Sequence, residues 1–156
     1  MGVLGSYVRL PFDDWLAVDE AAPEEADALL DAVYEHRRER WLDVDKTWDA
    51  LDMLLVLATG GETGIAGGAR AMTPYRGGET SFLDAGDVRR VAGALARTPF
   101  DRLVAAYDPE VMAAAYPPGV WTDRASLEPL EGTYARVRDF FRAAAADLDF
   151  VLIVIG

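Results

Sequence analysis

The run Phe150-Val151-Leu152-Ile153-Val154-Ile155 is apolar throughout. A strand with one wet face alternates apolar and polar residues, whereas a strand covered on both faces is a continuous apolar run. We therefore predict a buried strand here, with helices packed against both of its faces. Because a helix needs about 20 apolar residues to cross a bilayer, this run does not predict a membrane span.

The segment that precedes this strand has the pattern of a long amphipathic helix. Its apolar positions recur at alternating intervals of three and four: Leu127, Leu130, Tyr134, Val137, Phe141, Ala144 and Leu148. At 3.6 residues per turn this seam extends over about six turns. A coiled-coil face would have the same pattern, but a buried strand follows directly, so we favour packing against the sheet.

A second strand is predicted at the other end of the chain. Val3 to Leu10 is rich in β-branched and aromatic residues, and Pro11 ends it because proline cannot donate to a sheet ladder. We expect both terminal strands at the centre of a small mixed sheet covered by helices. The predicted fold class is α/β, a three-layer sandwich, and the 156 residues suffice for a single domain over 1–156.

Helical patterns or helix-start signals fill much of the chain between the two strands. Pro23 stands at a first helical position, and Glu24 and Glu25 follow in the first turn, where carboxylates interact favourably with the helix dipole. The predicted helices are Phe12 to Val18, Pro23 to Arg38, Asp45 to Ala58 and Asp84 to Leu95, with short helices opening at Thr98-Pro99 and Asp108-Pro109.

The segment from Gly60 to Gly78 contains seven of the 14 glycines and predicts a long irregular loop. Its glycine pattern is neither a phosphate-binding P-loop nor a dinucleotide fingerprint. Loops of this length within a compact domain are usually functional or mobile. Two interpretations stay open: simple flexibility, or a ligand-contacting lid beside the Asp45 helix.

The charge balance limits the classes of partner. Fifteen basic and 27 acidic side chains give a net charge of −12. Such a field repels phosphate backbones and anionic membranes, so we expect neither a nucleic-acid nor a membrane partner. A cationic protein partner or small molecule is compatible with it, and so is a charge that only keeps the protein soluble. The oligomeric state does not follow from the sequence.

The residue inventory removes several chemistries. The chain has no cysteine and one histidine, His36, which excludes disulfides, thiolate nucleophiles and the usual zinc sites. His36 falls at the end of a predicted helix, where a cation complements the dipole, and no serine lies in a nucleophile elbow. We expect no metal and no cofactor. The N-terminal residues lack a signal-peptide pattern, so a cytoplasmic location is expected.

The segment Leu42 to Asp52 concentrates carboxylates at the start of a predicted helix. The candidate site residues are Asp43, Asp45, Lys46, Trp48, Asp49 and Asp52, together with the distant Trp121. A calcium loop is excluded because Trp48 occupies the position that requires glycine. Two interpretations remain, one structural and one functional.

In the structural interpretation, the charges stabilise the helix start. Asp43 or Asp45 caps the helix, Asp49 interacts with its positive end, and Lys46 neutralises the surroundings. In the functional interpretation, Asp45 with Asp49 and Asp49 with Asp52 share a helix face at spacings of four and three, and two close carboxylates force one pKa upward, as acid/base chemistry requires. The indoles of Trp48 and Trp121 would then form pocket walls.

The sequence resembles the YfbM-like family of bacterial domains of unknown function. The most specific matching segment is Asp43-Val-Asp45-Lys46-x-Trp48-x-x-Leu51. Further matches are Met1-Gly2 with Gly5, Gly67-Gly68, the helix from Asp84 to Leu95 with Val88 and Val91, Tyr116-Pro117 with Trp121, and the alanine-rich helix running into the closing strand. The resemblance implies a three-layer α/β fold and no assigned activity. It also implies that Asp52 stands where many members carry histidine.

Two functional hypotheses follow. The first is a non-catalytic, acidic domain that binds a partner, which makes an enzyme the less favoured alternative. The second is a carboxylate-based enzyme or small-ligand binder with its site at the Asp45 helix and the Gly60 to Gly78 loop.

Overall fold

The computed structural model describes residues 2–156. Five strands form one sheet in the order β2-β1-β5-β4-β3. Their bounds are β1 Gly5–Leu10, β2 Trp41–Asp45, β3 Arg70–Ala71, β4 Glu79–Leu83 and β5 Phe150–Ile155. The apolar run of β5 occupies the central position and β1 lies beside it, as the sequence predicts.

The sheet is antiparallel throughout, not mixed as predicted. β1 pairs with β5 so that Gly5 lies opposite Ile155 and Leu10 opposite Phe150. The pairings of β1 with β2, β4 with β5 and β3 with β4 are antiparallel as well. Parallel neighbours require a long crossover, and the long connection from β4 to β5 permits either direction, so the strand pattern alone did not decide between them.

Helices cover both faces of this sheet and confirm the three-layer α/β architecture. The helices are α1 Phe12–Glu20, α2 Pro23–His36, α3 Trp48–Ala58, α4 Ala85–Arg97, α5 Phe100–Ala105, α6 Pro109–Met112 and α7 Leu130–Ala146. Successive strand residues face opposite sides: Val8 and Leu152 pack in one core cluster with α1 and α2, whereas Tyr7 and Ile153 pack in the other with α3, α4 and α7. None of the helices in residues 2–156 combines the length and apolar character that a membrane crossing requires.

Several helix boundaries differ from the predicted ones. The seam predicted as one helix from Leu127 is divided, because a 3₁₀ turn ends at Leu127 and α7 begins only after Pro129. Thr98 does not cap α5. Its hydroxyl donates to the Ala94 carbonyl at the end of α4. By contrast, Asp108 accepts from the backbone N–H groups of α6, as predicted.

The helix predicted from Asp45 begins three residues later. Trp41–Asp45 is the edge strand β2, and Asp45 ends it in the left-handed region at φ 51°. The segment Gly60 to Gly78 is likewise not wholly irregular, because β3 and a 3₁₀ turn at Tyr75–Gly77 interrupt it. The acidic segment from Leu42 to Asp52 is therefore divided between the edge strand β2 and the helix α3.

Candidate functional site

The structure divides the predicted acidic cluster between two elements. Asp43 and Asp45 lie on β2, Lys46 lies in the following turn, and only Trp48, Asp49 and Asp52 belong to α3. Asp45 therefore shares no helix face with Asp49, so this predicted pair does not form, whereas Asp49 and Asp52 both lie on α3 at the predicted spacing of three. Helix capping by Asp43 or Asp45 is also wrong. The N-cap residue is Thr47, which makes no side-chain cap and instead donates its hydroxyl to the Val44 carbonyl.

Asp43 anchors the edge strand to its surroundings. Its carboxylate accepts hydrogen bonds from Ser6 Oγ at 2.8 Å, Arg38 Nη2 at 2.7 Å and Trp41 Nε1 at 2.9 Å. Partial burial alone would raise the pKa of Asp43, but these donors hold it below its ordinary value. The carboxylate is thus already occupied by three donors of the protein itself.

Asp49 and Trp121 both hold the same backbone segment. The Asp49 carboxylate accepts from the Tyr116 backbone N–H at 2.7 Å, and the Trp121 indole donates to the Tyr116 carbonyl at 3.0 Å. Trp121 is 7% exposed, so it belongs to the core rather than to a pocket wall. Lys46 is exposed, and its side chain lies against Gly2.

The remaining two candidates, Trp48 and Asp52, line one cleft, which we call the Asp52 cleft. It has a volume of about 110 Å³ and lies between α3, the sheet and the loop at Ala66. Its lining consists of Tyr7, Trp48, Asp52, Ala66, Glu79, Ser81, Ile153 and Ile155. The structure thus joins part of the predicted cluster to three polar side chains that the sequence did not single out.

Two cross-strand rows of the sheet form the floor of the cleft. In one row, Ile153 of β5 lies between Tyr7 of β1 and Ser81 of β4. In the next row, Ile155 lies beside Glu79. Directly opposite residues in antiparallel strands hold their side chains about 5 Å apart, so the register alone places these polar groups on one floor.

Trp48 closes one side of the cleft because Gly5 has no side chain. A Cβ on Gly5 would come within 2.6 Å of the Trp48 Cβ. The Trp48 indole donates to the Val3 carbonyl at 3.3 Å and its ring stacks on Tyr116 at 5.9 Å between centroids. These contacts hold the indole in one position at the cleft.

Asp52 ties α3 to the glycine-rich segment. Its Oδ1 accepts from the Ala66 backbone N–H at 2.9 Å. The close approach requires Gly64, because a Cβ there would come within 2.7 Å of the same oxygen. Burial raises the pKa of the Asp52 carboxyl above its ordinary value; backbone donors at Ala66 and Ile65 oppose the rise, and the charge of Asp49 adds to it.

Tyr7 is the second titratable group of the cleft. Its ring is 2% exposed and packs edge-on against Phe141 at 5.5 Å between centroids. Burial, with a smaller effect from the Asp52 charge, raises the pKa of the Tyr7 hydroxyl far above its ordinary value. The hydroxyl therefore keeps its proton at physiological pH and acts as a donor.

The lining determines which molecules the cleft accepts. Asp52 and Glu79 are acidic, and no lysine or arginine lines the cleft in the part of the chain that the structure describes. Anions are therefore disfavoured, whereas a hydrogen-bond donor or a cation is compatible with it. Across residues 2–156, no group of three or more His, Asp or Glu side chains is placed to hold a metal ion. The expectation of no metal and no cofactor stays a prediction.

Comparisons with known proteins concern the fold and the family. A family model described as "Domain of unknown function (DUF1877)" matches residues 1–154. Among solved structures, the chain is similar to the crystal structure of a protein of unknown function, YfbM, from Escherichia coli. The TM-score is 0.62 at 12% sequence identity, over 98% of this chain and 99% of that chain. No curated protein matches the sequence.

Proposed function

Because the chain belongs to the DUF1877 family of unknown function, we propose a function from its own geometry: the Asp52 cleft binds a small neutral or cationic polar molecule. The family assignment and the YfbM-like fold confirm the resemblance stated from the Asp-Lys-x-Trp motif. They assign no activity, so the support for the proposal comes from the cleft itself.

The observation that carries the proposal is the pairing of Asp52 with Tyr7 in one cleft. One group is a carboxyl whose pKa burial raises, and the other is a phenol whose proton burial retains. Perturbed titratable groups that converge on a concave site are typical of functional sites. A carboxyl needed only to fix the loop at Ala66 would not require a tyrosine hydroxyl and Ser81 beside it.

The expected ligand follows from the donors and acceptors. The ionised Asp52 accepts a hydrogen bond from the ligand, and Tyr7 and Ser81 offer hydroxyl donors. Trp48 and Ile155 supply apolar walls, and the volume of about 110 Å³ limits the enclosed part to a small group. The acidic lining favours an amine, alcohol or amide over a carboxylate. Asp52 and Tyr7 would also permit proton transfer to or from a bound molecule, which is the catalytic form of this proposal.

The experiment is an NMR titration that follows the Trp48 indole N–H. The probes are methylammonium, acetamide and acetate, which are similar in size and differ in charge. We expect methylammonium and acetamide to shift the Trp48 signal and acetate to leave it unchanged. The indoles of Trp15, Trp41 and Trp121, which do not line the cleft, serve as internal references.

Matched variants separate the carboxyl of the cleft from surface charge. Asp52→Asn should abolish the methylammonium shift because it removes the ionised acceptor. Glu62→Gln removes one exposed carboxylate outside the cleft and should leave the titration unchanged. An acetate shift equal to that of methylammonium, or full retention of the response in Asp52→Asn, would show that the proposed site is wrong.

A second candidate function is binding of a cationic partner on the α1–α2 layer. Residues 12–36 contain nine of the 27 acidic side chains and none of the 15 lysines and arginines. An apolar groove of about 280 Å³ runs between these helices, lined in part by Ala17, Leu29 and Val33, with Asp14, His36 and Arg37 as its polar residues. An apolar groove on an acidic helical layer complements the apolar face of a basic amphipathic helix.

Fluorescence anisotropy with a designed peptide tests this second candidate. The peptide carries leucine and lysine at helical spacing, and its control has the same composition in scrambled order. Leu29→Glu should weaken binding of the patterned peptide. Equal binding of the two peptides would show charge attraction without a groove and would contradict this candidate.

A further inference from the structure

A groove on the other side of the sheet from α1 and α2 is lined by basic instead of acidic side chains. It lies between α4 and α7 and has a volume of about 480 Å³. Small residues contribute much of its surface, and two guanidinium groups stand beside them: Ala92, Gly93, Ala96, Arg138, Arg142 and Ala145. Among residues 2–156, no carboxylate lines this groove.

The groove is basic, although the chain as a whole carries a net negative charge. The net charge is −12, yet α4 carries three arginines and one aspartate, and α7 carries three arginines and two acidic residues. A locally positive groove on a negative protein attracts compact anions at short range, whereas the overall field opposes a long polyanion such as a nucleic acid.

Two guanidinium groups at this groove are not neutralised by the protein. Within residues 2–156, neither Arg97 nor Arg138 has a carboxylate within 4.0 Å, whereas Arg142 pairs with Asp139. The guanidinium carbon of Arg138 lies 5.9 Å from the ring centroid of Tyr134, which holds the side chain half-buried. Arg138 also lines a neighbouring hollow at α5, together with Asp101 and Glu131.

Gly93, which lines the groove, lets the side chain of a third arginine lie against α4. The Arg97 guanidinium lies back over α4 so that its Nη1 is 3.1 Å from the place where a Cβ of Gly93 would be. A side chain at position 93 would therefore push against this guanidinium. Glycine is less favourable in a helix than alanine, and its missing side chain gives Arg97 this position beside a residue that lines the groove.

We propose that the α4–α7 groove binds a small molecule carrying a phosphate group, with Arg138 and Arg97 as its ligands. The planar guanidinium fork matches the oxygens of a phosphate, and such charge-assisted hydrogen bonds are the stronger ones in proteins. The proposal is independent of the Asp52 cleft, which lies against the sheet and excludes anions.

The test uses inorganic phosphate and pyrophosphate as probes, in NMR titrations of the arginine side-chain N–H signals at constant ionic strength. Chloride provides the control for simple charge screening. We expect saturable shifts at Arg138 and Arg97 with either phosphate probe and none with chloride. Arg138→Gln should raise the Kd by about tenfold, the scale of one charge-assisted hydrogen bond.

The control variant is Arg136→Gln, which removes an exposed arginine from the same helix without touching the groove. Its Kd should equal that of the parent protein. Gly93→Ala should weaken phosphate binding while it leaves the helix at least as stable, because alanine favours helix. The proposal would be overturned by equal losses of phosphate affinity in Arg136→Gln and Arg138→Gln, or by shifts that do not saturate. Phosphate binding that is unchanged in both Gly93→Ala and Arg138→Gln would also overturn it.

Discussion

The side chain of Asp52 has two roles that a sequence pattern does not separate. It holds the Ala66 backbone, and it lines a cleft opposite Tyr7. The sequence draws attention to this position, because Asp52 stands where relatives of the YfbM type are expected to carry histidine. It did not predict the partners of Asp52, since Tyr7 and Ser81 are distant in the chain and become neighbours only through the strand register.

Replacing Asp52 by asparagine should change the pH dependence of stability. Burial raises the folded-state pKa of Asp52 above the ordinary value of 3.8, so the folded state binds this proton more tightly than the unfolded state does. A carboxyl whose pKa is higher in the folded state stabilises the fold when it is protonated. This stabilisation is fully present below the pKa of the unfolded state and is lost as the pH rises through the pKa of the folded state. Urea unfolding of the parent and of Asp52→Asn should therefore show the parent losing relative stability from pH 3.5 to pH 7.

Other carboxylates, such as Asp31 and Asp43, have lowered pKa values and also make stability depend on pH. Their contributions cancel in the difference between the unfolding free energies of the parent and of Asp52→Asn. A difference in unfolding free energy that stays constant with pH would show that Asp52 is not perturbed by the fold.

A methyl group at Gly64 should disturb the same contact from the loop side. A Cβ there would lie 2.7 Å from Asp52 Oδ1 and 2.7 Å from Val56 Cγ2. Gly64→Ala should therefore lower the free energy of unfolding by about 1–3 kcal/mol, the usual cost of overpacking. Gly132→Ala is the matched control, because a Cβ on this helical glycine meets no atom within 4 Å. It should stabilise the protein by up to about 1 kcal/mol. A Gly64→Ala protein as stable as this control would contradict the close approach.

At the scale of elements, the sequence predicts what is long, apolar and periodic. β5 and β1 have uninterrupted patterns, and the structure confirms both strands; the long helical seam is confirmed from Leu130 to Ala146 as α7. β2 was missed because Trp41–Asp45 is a short edge strand with two aspartates, and the helical spacing of Trp48, Leu51 and Leu55 extended the predicted helix into it. β4 was missed as well, and with it Glu79 and Ser81 of the cleft, because its five residues follow a glycine-rich segment without clear alternation.

The cap of α4 is one local signal that the structure confirms in detail. Asp84 accepts from the Asp87 backbone N–H at 2.8 Å, and Asp87 accepts from the Asp84 N–H in return. Asp84→Ala should therefore cost about 1–2 kcal/mol in urea unfolding at pH 7. The Asp87 N–H bond, together with Arg70, lowers the pKa of Asp84. The stabilisation is thus present above the unfolded pKa and should disappear as the pH falls through the folded one.

The control for this cap is Asp101→Ala, which removes an exposed carboxylate from the first turn of α5. It should change stability by no more than about 0.5 kcal/mol. A similar loss in the two variants would mean that helix-dipole attraction, rather than the capping bond, accounts for the effect at Asp84.

At the scale of the whole molecule, the net charge of −12 is distributed unevenly. The α1–α2 layer contains only acidic charges between residues 12 and 36, whereas α4 and α7 each carry more arginines than carboxylates. The sequence shows the acidic and basic segments but not that the sheet separates them, because this follows from strand order. The prediction of a cationic protein partner therefore concerns the α1–α2 layer. The proposed phosphate binding concerns the groove between α4 and α7, on the same side of the sheet as the Asp52 cleft.

Titration of the Asp52 side-chain carboxyl by ¹³C NMR, with and without methylammonium, tests the proposed ligand site most directly. We expect a pKa above the ordinary aspartate value in the free protein. We also expect methylammonium to lower this pKa, because a bound cation favours the ionised carboxylate. An Asp52 carboxyl that titrates at its ordinary value, or one whose titration methylammonium leaves unchanged, would contradict the assignment of the cleft as a ligand site.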